Sequence, residues 1–203
     1  EFLAHSHNAA ERGVTHPRYF HAYGKNAVYR HGHHGNALLS AYPIDWVENE
    51  DISDHRLEQR GVLHCRLITP QGPLHVLVAH FGLFQGSRQR QAEAVLARVQ
   101  KAIPPHEPLL MGGDLNDWQR KLGVALTQGL NAQEVLPQRP WLKGMGFASF
   151  PSALPVLGLD RLFVRGFQVE SARALRGGEW AKLSDHAPLV VDLRWNSISP
   201  HRP

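Results

Sequence analysis

The sequence predicts an α/β domain of layered, mixed-sheet type, and three observations carry that expectation. Short apolar runs recur between turn signals, they outnumber the helical segments, and the one strongly periodic helix falls between two of them. In chain order the runs are Asn26–Tyr29, Ala37–Tyr42, Val62–Thr69, Leu74–Ala79, Leu109–Met111, Leu162–Val164 and Pro188–Leu193. Each reads as a strand, and some neighbours are close enough to form hairpins. The helix runs from about Ser87 to Ile103, because Ala92, Val95, Leu96, Val99 and Ile103 repeat at the spacing of one helical face. Ser87 is its expected N-cap, and Pro104-Pro105 stops it. A weaker helix is expected over Gly123 to Leu136. Residues 137–158, with four prolines and three glycines, are expected as one long loop.

At 203 residues the chain is the size of one domain, and hydrophobic residues at 42% exclude a disordered polymer. The single cysteine, Cys65, cannot form an internal disulfide and lies in an apolar strand, where a small buried thiol is expected. No apolar stretch approaches the roughly 20 residues of a membrane span, so the reading is a soluble, cytoplasmic, monomeric protein. The net charge of +4 favours anionic partners only weakly, since no block of basic residues stands out. Histidine is more telling. The chain holds 14, and imidazole suits proton transfer, phosphate contact and metal binding near neutral pH.

Chemically able side chains fall immediately outside the apolar runs, where a rigid sheet can gather them at one edge. His80 follows the strand ending at Ala79. Gly112-Gly113-Asp114-Leu115-Asn116 places a carboxylate and an amide two residues apart just past a strand, an arrangement that also suits an Asx-turn or a helix cap. Asp160 begins a strand and either serves the site or pairs with a cation such as Arg161. Asp185 and His186 stand side by side before the last strand, where an extended backbone points them at different partners. Carboxylates, two histidines and an asparagine meet the needs of phosphodiester hydrolysis, and hard oxygen donors favour Mg²⁺ or Mn²⁺ over zinc.

In this order the motifs resemble those of the endonuclease/exonuclease/phosphatase superfamily of metal-dependent phosphodiesterases. The resemblance is carried by Gly35-Asn36-Ala37-Leu38-Leu39-Ser40 with Tyr42-Pro43-Ile44, Val78-Ala79-His80-Phe81, Gly113-Asp114-Leu115-Asn116, Leu159-Asp160-Arg161-Leu162-Phe163 and Ser184-Asp185-His186-Ala187-Pro188. It implies a two-sheet β-sandwich flanked by helices, a four-layer αββα domain with the site at one end. It implies that His186 contacts the scissile phosphate and acts as base, oriented by Asp160, with Asp185 as a metal ligand. Asp114 and Asn116 would hold the attacking water, the phosphate or a metal, His80 would be the leaving-group acid, and Asn36 and His34 would contact substrate. The implied cofactor is Mg²⁺ or Mn²⁺ and the implied partner a phosphodiester, nucleic acid among the candidates.

The pattern also departs from the family's. The strand ending in the family's metal-binding Glu is not visible. Either Glu1 is that ligand or, as the reading slightly favours, the chain is a piece lacking its first strand or strands. Arg161 stands where many relatives have Tyr, an expected change in substrate contacts. Ile52-Ser53-Asp54-His55 imitates the last motif without its strand. His31-Gly32-His33-His34 reads either as a polar loop or, with His5, His7 or His64, as a zinc site. Trp118, Trp141 and Trp180 either stack bases or pack at a rim. The rival from another class is an inactive phosphate- or nucleic-acid-binding module of the same fold.

Overall fold

Strand pairing produces one large sheet and two hairpins in a computed structural model, which describes residues 19–56, 58–137 and 147–196. The strands are β1 (Phe20–Tyr29), β2 (Gly32–Ser40), β3 (Ile44–Asp51), β4 (Gly61–Thr69), β5 (Gly72–Ala79), β6 (Leu109–Asp114), β7 (Gln133–Glu134), β8 (Asp160–Arg165), β9 (Phe167–Ala174) and β10 (Leu189–Trp195). The six-stranded sheet has the order β3-β4-β5-β6-β8-β7, while β1-β2 and β9-β10 are separate antiparallel pairs. Only β5 and β6 run parallel, and helix α1 (Gln85–Ala102) crosses between them as the sequence requires. Two short helices follow, α2 (Gly123–Gly129) and α3 (Trp180–Leu183).

Alternation along each central strand sends side chains to two different cores. Val62 of β4, Leu77 and Ala79 of β5, Met111 of β6 and Phe163 of β8 pack with Val95, Val99 and Leu126 of α1 and α2. The intervening residues Leu63, Cys65, Leu74, Val76 and Val164 face the opposite way, against Ala22, Leu38, Val169, Val191 and Leu193 of the hairpins. The protein is therefore a β-sandwich with helices on the outer face of the larger sheet, the α/β class the sequence predicts. Each fully buried apolar side chain stabilises the fold by about 1.5–3 kcal/mol. That drive exceeds a cap of about 1 kcal/mol, so α1 forms although its N-terminus has no side-chain cap.

The departures from the sequence reading have local causes. Phe84, not Ser87, occupies the N-cap position, and the Ser87 hydroxyl donates instead to Asp54 Oδ2 at 2.7 Å. Arg90 also binds Asp54, at 2.5 and 2.6 Å, so the Ser53-Asp54-His55 imitation serves the fold. β3 and β9 escape a reading based on apolar runs because β3 is a charged edge strand and β9 is interrupted by polar residues. α2 is shorter than expected, and Gln133–Glu134 pairs with β8 instead of extending it. Cys65 is buried, and burial pushes its thiol up to about 11. Glu1, His5, His7 and Trp141 lie outside the described residues. Among the described residues no helix is long and apolar enough to cross a membrane.

A polar chain runs through the helix-side core. Arg98 Nε donates to His64 Nδ1 at 3.2 Å, which leaves the His64 proton on Nε2 to donate to His75 Nδ1 at 2.8 Å. His75 Nε2 then donates to Glu107 at 2.6 Å. Burial first, and then the Arg98 and His75 charges, bring the His64 pKa down to about 3. The unfolded chain takes up a proton at His64 near pH 6.5 that the folded chain refuses, so this contribution to stability is complete above that pH. It is lost as pH falls toward 3, at up to about 1.4 kcal/mol per pH unit. Urea midpoints measured between pH 7 and pH 5 should fall for the parent chain and fall less for His64→Gln. Equal slopes would show that His64 does not carry the acid sensitivity.

Candidate active site

Antiparallel pairing places the end of β6 opposite the start of β8, and the register makes Asp114 the direct partner of Asp160. Both carboxylates occupy the sandwich-side parity of their strands. Like charges directly opposed are unfavourable, so the pair persists only where cations or hydrogen-bond donors surround it. Two histidines do so. His186 Nδ1 is 2.6 Å from Asp160 Oδ2, while its Nε2 lies 3.9 Å from Asp114 Oδ2. His80 Nε2 approaches the same Asp114 oxygen at 3.5 Å. Residues from β5, β6, β8 and the approach to β10 thus meet at one edge of the sandwich.

The backbone beneath this edge is tightly constrained. Gly113 has φ +143°, and a Cβ there would stand 1.9 Å from the Ala79 carbonyl oxygen, so only glycine lets β6 approach the end of β5. Asn116 sits at φ +50°, a left-handed conformation that Asn tolerates well. Its backbone N–H donates to Asp114 Oδ1 at 2.9 Å and its side-chain amide donates to the Phe81 carbonyl at 2.9 Å. Phe81 N–H in turn donates to the Asp114 carbonyl at 2.9 Å. This reciprocal clamp holds the segment carrying His80 against Asp114. On the other side, Ala187 N–H donates to Ser149 O at 2.7 Å, Ser152 N–H to Asp185 O at 2.7 Å, and the Phe150 ring lies 5.1 Å from the His186 ring.

Electrostatics separate the titrating groups. Burial raises the Asp114 pKa, opposed by the Asn116 N–H and the histidines and reinforced by Asp160. Burial depresses His80, and the nearby charge of Arg60 depresses it further. At His186 burial also acts downward, but the Asp160 hydrogen bond and the charges of Asp160, Asp114 and Asp185 outweigh it and raise the pKa. With Nδ1–H fixed by Asp160, His186 presents Nε2 as the nitrogen that exchanges protons.

Five of the predicted site residues, His80, Asp114, Asn116, Asp160 and His186, are therefore brought together. Asp185 is exposed and close enough for its charge to act on His186. Asn36 is buried and donates to Gly61 O at 2.7 Å and Val78 O at 3.0 Å, tying β2 to the strand ends under the site. His34 bonds Tyr29 at 3.0 Å, and its charge reaches His80. His33 bonds Tyr23 at 2.9 Å. Arg60 and Phe150, which the sequence reading did not single out, flank the histidines; Arg60 stands just before β4 and Phe150 lies in loop chain, and no motif marks either. Among the described residues no group of three or more His, Cys, Asp or Glu is arranged to hold a metal ion. The described residues alone thus do not fit a complete divalent-cation site, and Asp185 is the exposed carboxylate at hand.

Residues 2–186 match the Endonuclease/Exonuclease/phosphatase family. The chain belongs to that family. It is 41% identical over 174 residues to the Escherichia coli uncharacterized protein YbhP, covering 85% of this chain and 67% of that protein. Among solved structures it resembles an endonuclease/exonuclease/phosphatase from Beutenbergia cavernae with a TM-score of 0.66 at 16% identity, over 95% of this chain but 57% of that one. D. rerio TDP2 complexed with a single-strand DNA product matches with a TM-score of 0.65 at 17% identity, over 94% and 82% of the two chains. A Bacteroides thetaiotaomicron mannosyl-6-phosphatase matches with a TM-score of 0.65 at 16% identity, also over 94% and 82%. Members of the endonuclease/exonuclease/phosphatase family act on phosphoester bonds, and at these identities the structures speak for the fold.

Against the family pattern, Arg161 calls for a correction. It lies on the helix-side parity of β8, opposite to Asp160, so it neither pairs with Asp160 nor faces the site. It is buried and binds Asp117 Oδ2 at 2.5 Å and Glu134 at 2.9 and 2.6 Å, with Arg120 sharing Glu134 at 2.8 Å. Asp117 caps the following turn by accepting from the N–H groups of Lys121 and Leu122. Removing one member leaves buried charge uncompensated, at a cost of about 3–5 kcal/mol. Arg161→Ala should lower the urea midpoint accordingly, and Asp117→Asn should also destabilise; an unchanged midpoint in both would show the network to be energetically silent.

Proposed function

We propose that this protein hydrolyses phosphodiester or phosphomonoester bonds, with the His186–Asp160 pair as its proton-handling centre. The observation that carries this reading is the 2.6 Å contact that fixes His186 Nδ1 on Asp160 while Nε2 faces Asp114 and the open edge. An oriented imidazole of this kind takes a proton from the attacking water at Nε2, and Asp160 stabilises the imidazolium that results. Asp114, between the two histidines, accepts a hydrogen bond from the same water and directs its lone pair at phosphorus. As the new P–O bond forms and the ester P–O bond breaks, His80 protonates the departing oxygen. Burial favours its neutral form and so makes it a ready donor once charged. His34, whose charge reaches His80, belongs to the substrate side of this reading, while the buried Asn36 supports it from beneath by tying the strand ends together.

Dependence on Mg²⁺ or Mn²⁺ is part of the proposal, supported by the family's character and by the oxygen chemistry of Asp185. A bound divalent ion would neutralise phosphoryl charge. Asp185 and Asp114 are the carboxylates this reading assigns to it, and no step above passes through it. A binding module without activity would need no base with a free, oriented Nε2, which is why hydrolysis is the favoured reading.

Turnover of an aryl phosphodiester and an aryl phosphomonoester, each with Mg²⁺, Mn²⁺ or chelator, tests both parts. His186→Ala should lower kcat/KM by about 10²–10⁴-fold. Asp160→Asn should lower it by up to about 10⁴-fold while leaving the fold intact. Chelator should abolish turnover and Mn²⁺ or Mg²⁺ restore it. Metal-independent turnover would remove the cation from the proposal, and full activity in His186→Ala would remove the mechanism.

A further inference from the structure

The three residues that follow His80 are bonded at every backbone polar group. Phe81 N–H donates to Asp114 O at 2.9 Å, and Phe81 O accepts from Asn116 Nδ2 at 2.9 Å and from Arg60 Nε at 3.2 Å. Gly82 N–H donates to Gln91 Oε1 at 2.7 Å, and Leu83 N–H donates to Glu58 Oε1 at 3.1 Å. Arg88 Nη1 completes the set by donating to Gly82 O at 3.5 Å and Leu83 O at 2.5 Å. A surface loop ordinarily leaves such groups to water. Here side chains of α1, of the turn after β6 and of the chain before β4 take them over, packed so closely that a Cβ on Gly82 would stand 2.3 Å from Glu58 Oε2.

The chain before β4 is itself anchored. Arg60 Nη2 donates to Glu58 Oε1 at 3.1 Å, Arg60 N–H donates to Ser53 Oγ at 2.9 Å, and Arg60 O accepts from Ile52 N–H at 3.0 Å. Asp54 holds Ser87 and Arg90 of α1, and His55 Nε2 lies 3.7 Å from Glu58 Oε2. The Ser53-Asp54-His55 triplet therefore braces both sides of the clamp on residues 81–83. Stability does not account for the clamp. Arg88 and Gln91 are buried, Glu58 and Arg60 are nearly so, and among the described residues Glu58 Oε2, Arg88 Nε and Gln91 Nε2 have no hydrogen-bond partner. Buried polar atoms left unpaired are destabilising, so these side chains are explained by the loop they hold.

His80 depends on that loop. His186 is oriented through its own ring, by the 2.6 Å bond to Asp160. Among the described residues the His80 ring makes no hydrogen bond and approaches Asp114 at 3.5 Å, so its backbone sets its place. We propose that Glu58 and Arg60 are positioning residues for His80: they fix residues 81–83 and so hold the imidazole where the departing oxygen of the ester stands. The placement rests on the contacts above, and its use in protonating the leaving group rests on the hydrolase reading.

The test compares turnover of bis(4-nitrophenyl) phosphate and diphenyl phosphate, each with Mg²⁺ or Mn²⁺. Phenolate is the more basic leaving group and needs the acid more. Misplacing a reacting group by about 1 Å lowers a rate by about 10²-fold, so Arg60→Ala should lower kcat on diphenyl phosphate by that factor. On the nitrophenyl ester the loss should stay under about tenfold, with KM unchanged. Glu58→Ala should behave alike, and Glu58→Gln, which keeps an oxygen for the Leu83 N–H, should lose less. Arg60→Lys, which keeps the charge without the forked donors, should show the same selectivity to a smaller degree. His80→Ala should share the selectivity, and adding Arg60→Ala to it should lower kcat no further. Equal losses on both esters, or multiplied losses in the double variant, would overturn the proposal. Amide hydrogen exchange reads the clamp without turnover: Phe81, Gly82 and Leu83 should be protected in the parent chain and exchange at least about tenfold faster in Arg60→Ala. Unchanged exchange at these amides would also overturn the proposal. The expected exchange in a parent chain that turns over neither ester would leave the placement of His80 standing and overturn the hydrolase reading instead.

Discussion

The opposed carboxylates of Asp114 and Asp160 are the constraint around which this end of the protein is organised. Two acids facing each other across an antiparallel pair repel, and the surrounding structure compensates from three directions. His186 arrives from the approach to β10 and binds Asp160, His80 arrives from the end of β5 toward Asp114, and the Asn116 N–H closes on Asp114 from its own turn. The repulsion is therefore converted into a fixed spacing of acid and imidazole groups. A sheet without Gly113 could not bring these strand ends to that spacing, because any side chain there collides with the Ala79 carbonyl.

The two faces of the sheet divide the labour. On the helix side, buried polar residues are satisfied by one another: Arg161 by Asp117 and Glu134, and His64 by Arg98 and His75. These groups act on stability and leave the site edge to residues of the opposite parity. On the sandwich side the core is apolar until the last residue of β6 and the first of β8, where it gives way to Asp114 and Asp160. The site lies at the strand ends, where His80 and His186 keep partial exposure while their backbone is held by the hydrogen bonds around Asn116 and Ser149.

The sequence by itself determined the class of the fold and the identities of the residues at the site edge. Alternating apolar runs and the single amphipathic helix mark β4, β5, β6 and α1, and the polar residues just beyond them mark His80, Asp114, Asn116, Asp160 and His186. Those signals are local, because strand period and strand termini are properties of neighbouring residues. β3 and β9 stayed hidden, since edge and half-exposed strands owe their conformation to pairing with another strand more than to their own pattern. Tertiary structure alone decided that Asp160 serves His186 while its neighbour Arg161 serves Asp117 and Glu134. It alone decided that Asn36 ties strands together and that Ser87 binds Asp54. Each of these depends on parity and register between distant strands, which bring together residues that no single segment of chain specifies.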